Sequence, residues 1–152
     1  MKVIKRSELK DIVRQLKQQG KRIVFTNGCF DLLHIGHVRY LREAKKFGDI
    51  LIIGLNSDKS ASRIKPGRPI IPEDQRAEVL SSLYMVDYII IFDEDTPYEL
   101  IKEIRPDVLV KGADWKKEEI VGIDIAKETH TIPLVEGVST SKIIQKIRRQ
   151  NS

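Results

Sequence analysis

A single cysteine, Cys29, among 152 residues leaves no partner for an intrachain disulfide framework and suits a reducing compartment. No apolar run approaches the roughly 20 residues of a membrane span. The opening MKVIKRSELK has no apolar core of a secretory signal. The expectation is therefore a cytoplasmic protein with no membrane partner. Histidine is scarce too. Three histidines and one thiol do not make a zinc cluster, so no metal site built from protein alone is expected. Internal repeats and low-complexity segments are also absent.

What is present suits a folded enzyme-sized chain. With 41% hydrophobic and 32% charged residues, the composition is that of a globular domain. The length predicts one domain over residues 1–152, with residues 1–20 as an N-terminal helix packed on it. The net charge of +5 suits anionic small molecules as well as nucleic acid, and charge alone does not decide between them. Only Lys142 to Arg149 is densely basic. Ile143, Ile144 and Ile147 there have helical spacing, so its charges read as a solvated helix face.

The chain is organised around Arg22 to Phe47, RIVFTNGCFDLLHIGHVRYLREAKKF. Ile23, Val24 and Phe25 predict a buried strand, and Asn27-Gly28 a turn. From Val38 through Leu41, Ala44 and Phe47 the apolar spacing becomes helical. His34, Gly36 and His37 thus fall where a strand gives way to a helix, the place where open α/β sheets bind ligands. Helix starts carry unpaired N–H groups and partial positive charge, which suits phosphate. Gly36 leaves room for an anion beside the backbone. Each imidazole can donate to a phosphoryl oxygen and, as imidazolium, would add charge. Two histidines so spaced could otherwise be metal ligands or ordinary half-buried residues.

The remaining pattern alternates strands and helices. A helix is expected from a Ser7 cap to Gln19, a strand at Asp49–Leu55 and a basic loop at Ser60–Ile71. A helix should follow Pro72, carrying Arg76 and continuing past Leu83 and Tyr84, then a strand at Asp87–Phe92. Thr96-Pro97-Tyr98-Glu99 has the form of a capping box. Val108–Val110 should be a strand leading into Lys111-Gly112-Ala113-Asp114-Trp115. Gly112 could admit a flat base and Asp114 accept from ribose or base, although a tight turn uses the same residues. Trp115 is expected to be packing. A helix near Ile123–Glu128 and a strand at Ile132–Val135 precede Val138, Ser139, Thr140 and Ser141, with Ser139 capping the last helix. Hydroxyls at this second strand-to-helix junction could meet phosphate, though capping alone would account for one of them. The alternation predicts a Rossmann-like α/β fold, a parallel sheet of about five strands with helices on both faces.

TNGCFDLLHIGH resembles the signature of the HxGH nucleotidyltransferase superfamily. The likeness extends through Asn56-Ser57-Asp58, Arg68-Pro69, Asp74-Gln75-Arg76, Glu94-Asp95-Thr96-Pro97, the Lys111–Asp114 segment and Gly137-Val138-Ser139-Thr140. Within the superfamily this ordered set is most similar to the adenylyltransferases that form ADP-heptose from heptose 1-phosphate for lipopolysaccharide core synthesis. The resemblance implies ATP and a sugar phosphate as partners, Mg2+ accompanying ATP, and no nucleic acid. It implies catalytic roles for His34, His37 and Lys65. It places Thr26, Asn27, Gly28, Cys29, Phe30 and Asp31 in the nucleotide-binding turn. Arg76 would organise the site, and Ser139–Ser141 would face the triphosphate. Asp31 could orient the site, lie near the metal or be a turn residue. Relatives often form dimers, so a homodimer is expected.

The implied chemistry is direct in-line transfer, since the sequence offers phosphate binders but no convincing nucleophile, and Cys29 sits in the binding turn. The nearest alternative is a cytidylyltransferase acting on glycerol 3-phosphate or a similar alcohol phosphate. Those enzymes carry an arginine where this chain has Leu134. A non-catalytic nucleotide-binding module would keep the fold and need neither histidine. A class I aminoacyl-tRNA synthetase fragment would require more chain than this. Related bifunctional enzymes place a sugar kinase domain ahead of such a unit, so phosphorylation of the sugar is expected to fall to another protein.

Overall fold

The computed structural model of the chain describes residues 2–152. Its strands are β1 Ile23–Gly28, β2 Ile50–Asn56, β3 Tyr88–Phe92, β4 Val108–Gly112 and β5 Glu128–Ile132. They lie in the order β3-β2-β1-β4-β5, every neighbouring pair parallel. The expected Rossmann-like sheet is therefore present. The helices are α1 Arg6–Gln18, α2 Ile35–Lys45, α3 Asp58–Ile64, α4 Glu73–Ser81, α5 Tyr98–Ile104 and α6 Thr140–Gln150.

Successive strand side chains point to opposite faces, and each face has its own core. Val24, Leu51, Ile53 and Val110 pack with Leu41 and Ala44 of α2 and with Ala77 and Leu80 of α4. On the other face Ile23, Phe25, Ile52 and Leu109 pack with α1 and α5 through Leu9, Val13, Leu100 and Ile104. Burial on both sides explains why β1 and β2 read as unbroken apolar runs.

The two ends of the sheet differ in chemistry. At the amino end an aspartate precedes each of three strands and accepts a main-chain N–H from the neighbouring strand's start. Asp49 accepts from Arg22 at 2.7 Å, Asp87 from Leu51 at 2.7 Å, and Asp107 from Ile23 at 2.8 Å. The outer edge of β3 is met by Val3, which forms a parallel bridge with Ile89. Ile89 N–H donates to the Lys2 carbonyl and Ile4 N–H to the Ile89 carbonyl, both at 2.9 Å. At the carboxyl end the chain runs outward from β1 to β3, then returns to β4 on the other side of β1. That reversal opens a crevice beyond β1 and β4.

Several local expectations are revised. Lys5, not Ser7, is the N-cap of α1, because the Glu8 carboxylate accepts the Lys5 N–H at 2.7 Å. The segment read as loop from Ser60 is helical through Ile64, capped by Ser57, whose hydroxyl accepts the Ser60 N–H at 3.1 Å. α4 ends at Ser81, short of Leu83 and Tyr84. Pro97 caps α5 without any side-chain bond, so no capping box forms at Thr96. No helix occupies Ile123–Glu128, and the last strand lies at Glu128–Ile132 rather than Ile132–Val135. Pro133 has no N–H for the ladder and ends the strand before it.

Asp87 accepts also from Lys45 Nζ, and Asp107 likewise from Lys127 Nζ at 2.9 Å. Burial opposes its charge, but the Ile23 N–H and the Lys127 ammonium outweigh it and hold the carboxyl below its ordinary value. Asp107→Ala should destabilise the fold by about 1–3 kcal/mol in urea titrations, by stranding the Ile23 N–H. A depressed carboxylate stabilises above its unfolded value. The difference between wild type and variant should therefore be full at neutral pH and shrink as pH falls through the folded value.

Candidate active site

Beyond β1 and β4 lies a cleft of about 330 Å3, walled by the turn after β1, the start of α2, the segment after β4 and the start of α6. His34 is the N-cap of α2, with its backbone extended. Its ring Nδ1 accepts the Gly36 N–H at 3.1 Å, and its own N–H donates to His37 Nδ1 at 3.2 Å. The two rings stack with centroids 3.9 Å apart. A neutral imidazole that accepts at Nδ1 carries its proton on Nε2. Each ring therefore keeps one Nε2–H donor, and both rings line the cleft.

Burial pushes His34 below its ordinary value. It lowers His37 to about 4, helped by the neighbouring His34 and opposed by Asp31. In the free protein at neutral pH the pair are uncharged donors, so the added positive charge anticipated for them is absent. The Phe30 ring lies 5.4 Å from that of His37 and braces it. Phe30 and Leu32 both have left-handed backbone, with φ of 47° and 49°. Such conformations cost about 1–3 kcal/mol each and persist where surroundings enforce them. Gly36 serves the His34 ring, because a Cβ there would lie 2.8 Å from His34 Cε1.

Asp31, between the two strained residues, is buried and does not line the cleft. Its carboxylate accepts the N–H groups of Ile70 and Ile71 at 2.7 and 3.0 Å. Its carbonyl accepts from Thr140 Oγ1 at 2.7 Å. Asp31 thus fastens the basic loop and the start of α6 to the turn after β1. Arg76 acts similarly from α4 and is only 2% exposed. It donates to the carbonyls of Ile71, Cys29 and Asn56 at 2.9, 2.6 and 2.9 Å, and to Asp58 Oδ1 at 2.8 Å. Among the binding residues expected from sequence, Arg76, Asp31 and Thr26 stand behind the wall rather than in it. Thr26 is fully buried and bonded to the Tyr40 hydroxyl at 2.8 Å. Asn27 turns to a smaller adjoining cavity.

The cleft brings together His34, Gly36, His37, Lys65, Gly28, Cys29, Phe30, Lys111, Gly112, Asp114 and Val138–Ser141. The three hydroxyls of α6 are not equivalent. Ser139 Oγ accepts the Lys142 N–H and Ser141 Oγ accepts from Arg68, both at 3.1 Å. Each keeps a hydroxyl proton for a ligand oxygen, whereas Thr140 has donated its own to Asp31. Burial raises the Cys29 thiol more than Arg76 and Lys65 lower it, so it is a protonated wall residue. At Gly112 a Cβ would lie 2.7 Å from Asp114 Oδ1 and 3.1 Å from Leu134 Cδ2. The space read as room for a base is taken by those side chains.

Five wall residues, Tyr40, Trp115, Pro133, Leu134 and Val135, lie outside the sequence-based selection. Tyr40 follows His37 by one helical turn, a spacing that could have flagged it. Leu134 is 57% exposed and Trp115, expected to be packing, is 46% exposed. Lys111 Nζ lies 5.2 Å from the Trp115 ring centroid. Burial lowers the Lys111 amine, with Asp114 opposing.

A profile of the cytidylyltransferase-like family matches residues 25–146. The chain is 58% identical over 142 residues to the bifunctional protein HldE of a Nitratiruptor species, and 53% identical over 148 residues to that of Wolinella succinogenes. These alignments take in 93% and 97% of this chain but 31% of each relative, so the chain spans about three-tenths of the relatives' length. Among solved structures, a lipopolysaccharide core biosynthesis protein from Thermoplasma volcanium is 31% identical, with a TM-score of 0.64 over 76% of this chain and 98% of that one. The pantoate-beta-alanine ligase of Francisella tularensis has a TM-score of 0.65 over 100% of this chain and 78% of its own. At 15% identity it shares the fold.

Titration of the ring nitrogens by 15N NMR should show both histidines as Nε2–H tautomers at pH 7, with His37 protonating only near pH 4. An unfolded histidine takes its proton near 6.5. His37 should therefore make stability fall as pH drops from about 6.5 towards 4. Gly36→Ala should displace the His34 ring and abolish the tautomer signature at His34 while leaving the far-UV circular dichroism unchanged.

Proposed function

The chain belongs to the cytidylyltransferase-like family and is a nucleotidyltransferase, and we propose that it transfers AMP from ATP to a sugar 1-phosphate. The acceptor in this reading is D-glycero-beta-D-manno-heptose 1-phosphate, and the products are ADP-heptose and pyrophosphate for lipopolysaccharide core synthesis. The observation that carries it is the pair of Nε2–H donors of His34 and His37, set in one cleft with the capped start of α6. Uncharged donors aimed where phosphoryl charge grows stabilise a transition state without reorganisation. The resemblance along the chain supports the heptose acceptor, as does the likeness to a lipopolysaccharide core biosynthesis protein.

An oxygen of the acceptor phosphate attacks the α-phosphorus of ATP. The new P–O bond forms as the bond to the β-phosphate bridging oxygen breaks, and the electron pair leaves with pyrophosphate. His34 and His37 donate to phosphoryl oxygens. Lys65, the Ser139 and Ser141 hydroxyls and the free N–H groups of α6 receive the departing pyrophosphate. Mg2+ comes with the triphosphate as part of the substrate and neutralises it. Among the described residues no three His, Cys, Asp or Glu side chains form a metal-binding group. Leu134 presents an apolar wall where the alternative cytidylyltransferases carry an arginine, and this favours ATP over CTP.

Pyrophosphate release should be supported by ATP with heptose 1-phosphate and not by CTP with glycerol 3-phosphate; the converse result reverses the assignment. His34→Ala and His37→Ala should each lower kcat by about 10²–10³-fold, the loss typical of one oxyanion donor. KM for ATP should change far less.

A further inference from the structure

Of the three hydroxyls at the start of α6, Ser141 is the one held by a cation. Arg68 reaches it from the basic loop, and its Nη2 donates to Ser141 Oγ at 3.1 Å. Ser141 lines the cleft, whereas Arg68 does not; the Arg68 side chain is 16% exposed. Ser139 Oγ, by contrast, is held by the Lys142 N–H of its own helix, and Thr140 gives its proton to the Asp31 carbonyl.

The loop side of this contact is anchored. The Asp31 carboxylate, which takes the Ile70 and Ile71 N–H groups, also lies 4.0 Å from Arg68 Nη1. The Arg68 main-chain N–H donates to the Lys65 carbonyl at 3.1 Å and closes the turn that carries Lys65. One buried carboxylate therefore holds the loop backbone and balances the guanidinium charge. Ser141 Oγ accepts from that guanidinium and keeps its own proton. Successive hydrogen bonds polarise one another, so a hydroxyl that accepts from a cation is a stronger donor than a free one.

We infer that Arg68 is a positioning residue for the leaving group: it orients and polarises the Ser141 hydroxyl, which donates to pyrophosphate, while the guanidinium stays behind the wall. The inference rests on the transfer reaction proposed above and adds a residue outside the cleft that tunes one of its phosphate donors. Charge that gathers on the β-phosphate oxygens as the bond breaks meets a donor already aimed at it. Arg68 and Ser141 then act as one unit, and removing either removes the same contribution.

The test is calorimetric binding of pyrophosphate with Mg2+, and separately of AMP, to wild type, Arg68→Ala, Ser141→Ala and the double variant. Arg68→Gln keeps an N–H donor without the charge and carries the test should Arg68→Ala fold poorly. Each single variant should bind pyrophosphate about tenfold more weakly, the range for one charge-assisted hydrogen bond, and AMP within about twofold of wild type. The double variant should be no more than about twofold worse than the weaker single one. Losses that multiply in the double variant overturn the inference, as does unchanged pyrophosphate affinity in a folded Arg68 variant. An AMP affinity that weakens in step marks a general structural role and overturns it too. Pyrophosphate leaves in either transfer reaction, so a wild type that uses CTP and glycerol 3-phosphate overturns the substrate reading alone. The same variants, with CMP in place of AMP, then decide the role of Arg68.

Discussion

Two main-chain N–H groups at the start of α2 bond to imidazole nitrogens, and the site depends on that pairing. Helix starts usually satisfy such donors with serine, threonine or aspartate oxygen. Here His34 Nδ1 takes the Gly36 N–H and His37 Nδ1 takes that of His34. The bonds that begin the helix also select the tautomer, so folding and proton placement are one event. Burial then keeps both rings neutral. A charged ring would lose its Nδ1 lone pair and with it the cap, so the neutral state and the helix start stabilise each other.

The sheet divides its labour between its two ends. Aspartates Asp49, Asp87 and Asp107 close the amino end by holding neighbouring strand starts together. The carboxyl end is left open, and its loops are held by two buried charged residues instead. Arg76 collects carbonyls from the ends of β1 and β2 and from the basic loop. Asp31 collects N–H groups from that loop and a hydroxyl from α6. These bonds hold Phe30 and Leu32 in conformations they would not keep alone.

The features legible in the sequence are those with local cause. Apolar runs at Ile23 and Ile50 and the His-Ile-Gly-His step need only neighbours in the chain to be understood. β5 escapes such a reading because ETHTI is an edge strand with alternating polar residues, whereas the apolar IPLV beside it contains a proline that cannot join the ladder. Arg76 and Asp31 look like surface or turn residues because several of their partners lie 20 or more positions away, as with Asn56 and Thr140. Trp115 looks like core because large aromatics usually are; its exposure follows from the cleft it borders.

The Val3 bridge has a bearing on assembly. An outermost strand normally offers a row of unclaimed amide and carbonyl groups, a template onto which a foreign chain can add. On the β3 side the protein's own leading residues already occupy that template around Ile89. Around Ile89 that flank is guarded against fibre-like growth by a few residues of self-pairing, and no such bridge covers β5 among the described residues.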